Sequence, residues 1–339
     1  MPALAALDLG TNNCRLLVAR PHGDSFEVID SFSRIVRLGE GLAASGWLKE
    51  RAMARTIAAL RVCARIMARH GARQARCVAT EACRRAVNGP EFLARVRRAT
   101  GIELEILEHE QEAQLALLGC LPLIERRAGP ALLVDIGGGS TEIVWLDCSE
   151  FGAGRPATIS LPIGVVALSE AFTSEPDPAT FETMVRYVRA AIEDVRTVRF
   201  GSRPPPAQLI GTSGTITTLA ALHLDLRRYD RRRIDGLVLD RAAVATVSER
   251  LRAMTNAARA MHPCIGPGRA DLVVAGCAIL EAVLRTWPAN MLRVADRGLR
   301  EGILQGLMGH TLEAALDARP EPSAPFVGLG PLVIGATPA

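Results

Sequence analysis

A chain of 339 residues is too long for one ordinary hydrophobic core and fits two domains of roughly 120 to 200 residues each. Hydrophobic residues make up 49% and charged residues 22%, a globular balance that excludes long disorder. The longest apolar stretches, such as residues 272–284, hold a glycine or a glutamate and fall short of the roughly 20 residues that span a bilayer. Asp8 interrupts the apolar N-terminus and no basic stretch precedes it. No signal peptide or membrane segment is expected, and the expected location is the cytoplasm.

The formal net charge of +4 rests on 39 arginines and a single lysine, Lys49. Arginine meets phosphate through two N–H groups at once, so the excess is a weak pointer to a polyanionic partner. The eight cysteines contain no C-x-x-C pair and the histidines are scattered, which suggests neither a zinc site nor a disulfide frame. They read as reduced core thiols.

In chain order, Leu7-Asp8-Leu9-Gly10-Thr11-Asn12-Asn13 comes first, and the same arrangement returns at Val134-Asp135-Ile136-Gly137-Gly138-Gly139-Ser140. In each, an apolar-Asp-apolar-Gly run leads through small residues into a second apolar run, at 16–19 and 143–146. Two strands joined by a tight glycine turn make a hairpin whose tip exposes backbone N–H groups and one carboxylate. The chain reads as a duplication, one hairpin opening each half.

Strands over 25–38 follow, then an amphipathic helix over 49–70 with Met53, Ile57, Leu60, Ala64 and Met67 on one face. A strand over 75–80 precedes a helix running from a capping-box-like start at Asn88-Gly89-Pro90-Glu91 to Gly101. A strand over 103–107 leads into a helix over 110–120, and the proline-bounded stretch 122–130 is the expected link between domains. The second half brings a helix over 181–198, a break at Pro204-Pro205-Pro206, a strand over 208–211 and a second glycine turn, Gly211-Thr212-Ser213-Gly214-Thr215. Helices over 240–254, 268–285 and 299–316 complete it, and a proline-rich, mobile tail is expected over 317–339. The alternation predicts an α/β class with mixed sheets, in domains over 1–125 and 126–316.

The stretch from Asp135 to Glu142 carries the most chemistry. Three successive glycines let the backbone approach an anion and turn N–H groups into one concavity, while Asp135 and Glu142 flank it with oxygens suited to a hard cation. Phosphate held with Mg²⁺ is the reading. A purely structural glycine hairpin is the alternative, and the copy at Asp8 together with the Gly211 turn weighs against it.

These stretches, with RIVRLGEGL at 34–42, ATEACR at 79–84, Gln111-Glu112-Ala113 and DRGLREG at 296–302, resemble in order the Ppx/GppA phosphatase family of exopolyphosphatases and guanosine pentaphosphate phosphohydrolases. The resemblance implies two actin-like domains, ribonuclease H-like and of the sugar-kinase and heat-shock-ATPase superfamily, with the site in the cleft between them. It implies Glu112 as general base for the attacking water and Glu142 as the second catalytic acid, with Asp8, Asp135 and Glu142 holding Mg²⁺ or Mn²⁺ and a monovalent cation as a further helper. It implies phosphate binding by Asn12, Arg84, Gly137, Gly138, Gly139, Ser140 and Thr141. It extends phosphate binding to Gly211, Ser213 and Gly214, which match a loop that faces the adenosine in nucleotide-binding relatives. Before Glu112 the chain departs from the family's small Ser-Gly turn with Glu108-His109-Glu110-Gln111, which makes Glu110 a rival base.

The implied reaction is hydrolysis of a terminal phosphoanhydride of polyphosphate, or of the 5′-γ-phosphate of pppGpp. Phosphoryl transfer asks a protein mainly for positioning and charge neutralisation, which this set supplies. An ATP-dependent kinase of the same fold and a non-catalytic alarmone (ppGpp) sensor are the alternatives, and intact Glu112, Asp135 and Glu142 weigh against the sensor. Arg61, Arg65, Arg69 and Arg73 form one basic stripe, and Arg227, Arg228 and Arg231, Arg232, Arg233 a second cluster. With 4% aromatic residues, base stacking on nucleic acid is not expected. A homodimer is left open.

Overall fold

The first hairpin pairs β1 (Leu4–Leu9) with β2 (Asn13–His22), setting Asp8 opposite Arg15, and β3 (Ser25–Ile35) continues along β2. β4 (Gln74–Ala79) adds parallel to β1 and the short β5 (Glu105–Ile106) parallel to β4, giving the order β3-β2-β1-β4-β5. The second hairpin pairs β6 (Ala131–Ile136) with β7 (Thr141–Leu146), setting Asp135 opposite Glu142. Past a small ribbon of β8 (Cys148–Ser149) and β9 (Gly152–Ala153) come β10 (Ala157–Leu161), β11 (Gln208–Thr212), β12 (Val238–Asp240) and β13 (Met291–Ala295). The second sheet has the order β10-β7-β6-β11-β13-β12. The structure, a computed structural model, describes residues 2–149, 152–153, 155–172, 175–201, 203 and 205–317. Of the expected tail over 317–339, all but Asp317 lies outside the described residues, as does Pro204.

Because side chains alternate along a strand, each hairpin has an outer and an inner row. In the first sheet Ala5, Leu7 and Leu9 face the helices Glu50–Arg69 and Gly89–Thr100, while Leu4 and Ala6 begin an inner row that ends at Asp8. In the second, Leu132, Val134 and Ile136 face Pro178–Phe200, Ser213–His223 and Val273–Thr286, while Ala131 and Leu133 begin an inner row that ends at Asp135. The strand period thus delivers both aspartates to the same space between the sheets.

The helices that cover the inner rows are exchanged between the halves. Leu299–Leu307 sets Leu299, Ile303 and Leu304 on Leu4, Ala6, Leu17 and Ala19 of the first sheet. His109–Cys120 sets Ala113, Ala116 and Leu117 on Ala131, Leu133, Val144 and Leu146 of the second. The two helices meet backbone to backbone. A Cβ on Gly119 would lie 2.0 Å from the Gly298 carbonyl oxygen, and one on Gly302 1.9 Å from that of Leu115, so only glycine fits. Each of these helices thus packs on the sheet of the other half of the sequence.

Other expectations change in detail. The helix expected over 299–316 is two helices, Leu299–Leu307 and Leu312–Asp317, with Gly309 at φ 89° between them. Asn88 caps nothing with its side chain. Its Oδ1 accepts from the Leu48 N–H at 2.8 Å and its Nδ2 donates to the Leu48 carbonyl at 3.0 Å, stitching two turns together. All eight cysteines are free thiols. Among the described residues no helix is long and apolar enough to cross a membrane.

Candidate active site

The two hairpin tips meet at the floor of a cleft of about 1010 Å³. A Cβ on Gly138 would lie 3.0 Å from the Asn12 nitrogen, and one on Gly139 2.5 Å from Thr11 Oγ1. The triple glycine is therefore needed for close approach of the tips as well as for any anion. The Gly137 N–H closes its own turn onto the Ser140 carbonyl at 2.9 Å, and the Gly137 and Gly138 carbonyls accept from Val165 and Val166 at 3.0 and 2.9 Å. Among the described residues no acceptor pairs with the Gly138, Gly139 and Ser140 amides. Facing them, Thr11 Oγ1, Asn12 Oδ1 and Asn13 Oδ1 are buried without a partner, and all three residues line the cleft. Orphaned polar atoms concentrated on one tip are what a bound polar ligand would satisfy.

Seven carboxylates line the cleft, Glu81, Asp296 and Glu301 among them, and four crowd beside the tips: Asp8, Asp135, Glu142 and, one turn into the helix His109–Cys120, Glu112. Burial, then the Glu142 charge, pushes the Glu112 carboxyl well above the usual carboxylate range. Burial, then the Asp135 charge, raises Glu142 to about 8. Burial raises Asp135 to about 6 against a hydrogen bond from Ser213 and the Arg15 charge, and raises Asp8 against Arg15 and Arg300. Acids crowded in this way repel one another when ionised, and a hard divalent cation relieves them. The donor set fits such an ion. The ligand atoms that come within 4.8 Å of one another belong to His109, Glu112 and Glu142, whereas Asp8 and Asp135 border this trio rather than forming one with Glu142.

Arg84 ties the trio to the first lobe. Its Nη2 donates to Glu81 and to His109 Nδ1, both at 2.8 Å, each terminal nitrogen reaches Glu112 Oε2 at 3.3 Å, and Nη1 donates to the Leu107 carbonyl. Ser160 Oγ lies 2.8 Å from His109 Nδ1 and donates to Glu142 Oε1 at 3.2 Å. Burial and the Arg84 charge hold the His109 imidazole below its usual range.

The structure separates the remaining expected residues. Glu110 is exposed and does not line the cleft, whereas Glu112 does. The departure before Glu112 is a helix start: the Glu108 N–H donates to the Gln111 side chain at 3.1 Å, satisfying the amide that opens the helix. Two expected phosphate contacts are corrected. Thr141 is buried with its hydroxyl donating to the Ile163 carbonyl at 2.7 Å, and Gly211 lies within β11, where a Cβ would sit 2.9 Å from Ile216 and 3.0 Å from Leu292. Both are spent on packing. Ser213 lines the cleft at φ 82°, and Gly214 borders a side pocket with Arg15 and Arg269. The stripe from Arg61 to Arg73 is exposed and away from the cleft. Of the second arginine cluster only Arg231 enters the cleft, 2.7 Å from Glu301.

Sequence reasoning missed His109, Ser160, Glu81 and Arg15. Arg15 had a signal, since it follows Asp8 by the same seven positions as Glu142 follows Asp135. Glu81 sat inside the quoted ATEACR stretch. His109 and Ser160 had none beyond the helical spacing of His109 to Glu112.

The chain matches the Ppx/GppA phosphatase family over residues 17–311. It is 34% identical to exopolyphosphatase 2 of Mycobacterium tuberculosis over 328 residues, which cover 90% of this chain and 98% of that one. Among solved structures it is similar to the Ppx/GppA family member of Aquifex aeolicus, with a TM-score of 0.74 and 30% identity over 91% of this chain and 97% of that one. It is also similar to an exopolyphosphatase from Cytophaga hutchinsonii, with a TM-score of 0.83 and 25% identity over 91% and 99%. Two sheets bearing matched Asp-ended hairpins, a carboxylate cleft between them and this agreement along nearly the whole length lead to one conclusion: the chain belongs to the Ppx/GppA phosphatase family.

Proposed function

We propose that the protein hydrolyses terminal phosphoanhydride bonds of inorganic polyphosphate in the cytoplasm, releasing orthophosphate. The observation that carries the reading is Glu112, a carboxylate with a raised pKa facing the tips that offer free amides and orphaned asparagine oxygens. Raising a carboxylate above its usual range makes it a stronger base toward a water held beside it. The Gly138, Gly139 and Ser140 amides hold the terminal phosphate, and Arg15, which lines the cleft beside Asn12, offsets its charge. A Mg²⁺ or Mn²⁺ held by Glu142 with Asp135 and Asp8, or by the His109, Glu112 and Glu142 trio, would supply charge neutralisation at the phosphate oxygens. Arg84 keeps the Glu112 carboxylate oriented, and Ser160 does the same for Glu142.

One observation favours the 5′-γ-phosphate of pppGpp as a second substrate. The cleft runs on to Val28 and Ile35, which keep apolar surface that a bare phosphate chain leaves unused. Orthophosphate release from long polyphosphate, pppGpp and ATP, each with and without Mg²⁺, tests both readings. Release from ATP alone would argue for an ATP-directed enzyme, and release from none with nucleotide still bound would argue for a sensor. Glu112→Gln should keep substrate binding and lose about 10² to 10⁴ in kcat, measured by single turnover beside equilibrium binding. A variant that still turns over would move the base elsewhere.

A further inference from the structure

A second junction between the lobes lies just past β3, and Arg37 carries it. Its backbone sits at φ 47°, in the left-handed region that residues with a Cβ rarely adopt. The surroundings fix it there. The Val36 and Arg37 N–H groups both donate to the Asn12 carbonyl, at 2.8 and 3.0 Å, and Arg55 donates to the Val36 carbonyl at 2.6 Å and to the Arg37 carbonyl at 3.3 Å. Strained backbone persists only where it is over-determined in this way, and it gathers where position matters.

This backbone delivers a guanidinium across the gap between the lobes. Arg37 Nη2 lies 2.5 Å from Asp271 Oδ1 and donates to the Gly268 carbonyl at 3.3 Å. Beside it, Ile35 is packed so closely on Gly268 that a Cβ there would lie 2.4 Å from Ile35 Cδ1. A second bridge follows four residues later, where the Gly41 N–H donates to Glu170 at 2.8 Å. Asn12 is therefore held at its carbonyl by the Arg37 turn while its side-chain oxygen, on the cleft side, has no protein partner. A ligand at that oxygen and the bridge to Asp271 act on the same residue.

We propose that Arg37 and Asp271 are the latch of the cleft: a positioning pair that holds the Asn12 tip against the 268–271 loop and sets the fraction of molecules closed enough to grip a phosphate chain. When only a fraction is competent, apparent affinity falls by that fraction, whereas saturating substrate itself holds the lobes together. Breaking the latch therefore acts on KM and spares kcat. Both side chains are about one-third exposed, at 33% and 28%, so the effect is a few-fold rather than a collapse.

The test uses full-length Arg37→Asp, Asp271→Arg and the double exchange, with hydrolysis of inorganic tripolyphosphate and small-angle X-ray scattering of the free protein. Each single exchange should raise KM about three- to tenfold with kcat within about twofold, and enlarge the radius of gyration. The double exchange should restore both. Unchanged KM and radius in the single variants, a loss confined to kcat, or no restoration in the double would overturn the latch. Should Arg37→Asp fail to fold, Asp271→Asn carries the same two measurements, and the scattering readout holds whichever phosphate chain the enzyme prefers.

Discussion

The two hairpins share a register and differ in one charge. Asp8 stands opposite Arg15 in the first, and Asp135 stands opposite Glu142 in the second. Their tips differ to match. The first offers the side chains of Thr11, Asn12 and Asn13, and the second offers bare glycine amides. The Asp–Arg pair balances its own charge, while the Asp–Glu pair leaves two acids facing each other. The same geometry occurs twice, and the residue seven positions after the aspartate sets the charge that faces it.

Erasing that difference should have the largest effect. Arg15→Glu makes the hairpins alike and adds a further carboxylate to the cleft; hydrolysis should fall by about 10² or more, as when a charge-stabilising donor is lost. Magnesium titration of phosphate release checks it, and a variant that kept wild-type activity would break the comparison.

A smaller effect sharpens the second hairpin. Glu142, raised from 4.5 to about 8, binds its proton more tightly in the folded protein than in the unfolded one. Its stabilising contribution is complete below pH 4.5 and is lost as pH rises through about 8, with Asp135, raised to about 6, adding in the lower part of that window. Protein stripped of divalent ions should thus melt at falling temperature from about pH 5 to 8, and Glu142→Gln should flatten the slope. Calorimetry across that range decides it; an equal slope in the variant would place the titration elsewhere.

The smallest effect separates two glycines. Gly138→Ala, with backbone of the other tip 3.0 Å away, should cost about 1–3 kcal/mol, whereas Gly214→Ala, whose nearest neighbour is 3.9 Å distant, should stay within about 0.5 kcal/mol. Thermal melts of the pair measure the contrast, and equal losses would mean that the tips do not need their contact.

Much of this was legible in the sequence. Alternation placed the strands, the helical period placed Glu50–Arg69 and Pro178–Phe200 within a few residues, and the repeated Asp-Gly run gave the paired tips. The exchange of helices was not legible, because periodicity shows that a helix has an apolar face but not which sheet receives it. Thr141 and Gly211 misled for a different reason. A glycine that lets phosphate approach and one that lets Ile216 approach look the same in one dimension, and a threonine hydroxyl carries no mark of being spent on Ile163. His109 gave no pattern because its partners, Arg84 and Ser160, come from distant segments.

The exchanged helices also impose an order of events on synthesis. The inner face made by Leu4, Ala6, Leu17 and Ala19 has Leu107, Leu115 and Phe26 beside it but is not covered in full until Leu299, Ile303 and Leu304 exist. At about 5–20 residues per second, the first strands wait roughly 15 to 60 seconds on the ribosome for the helix that shields them. The outer core of each half is its own, but the inner faces are complete only when both exchanged helices are in place. Nascent chains truncated before Leu299 should engage holding chaperones, and full-length chains should release them.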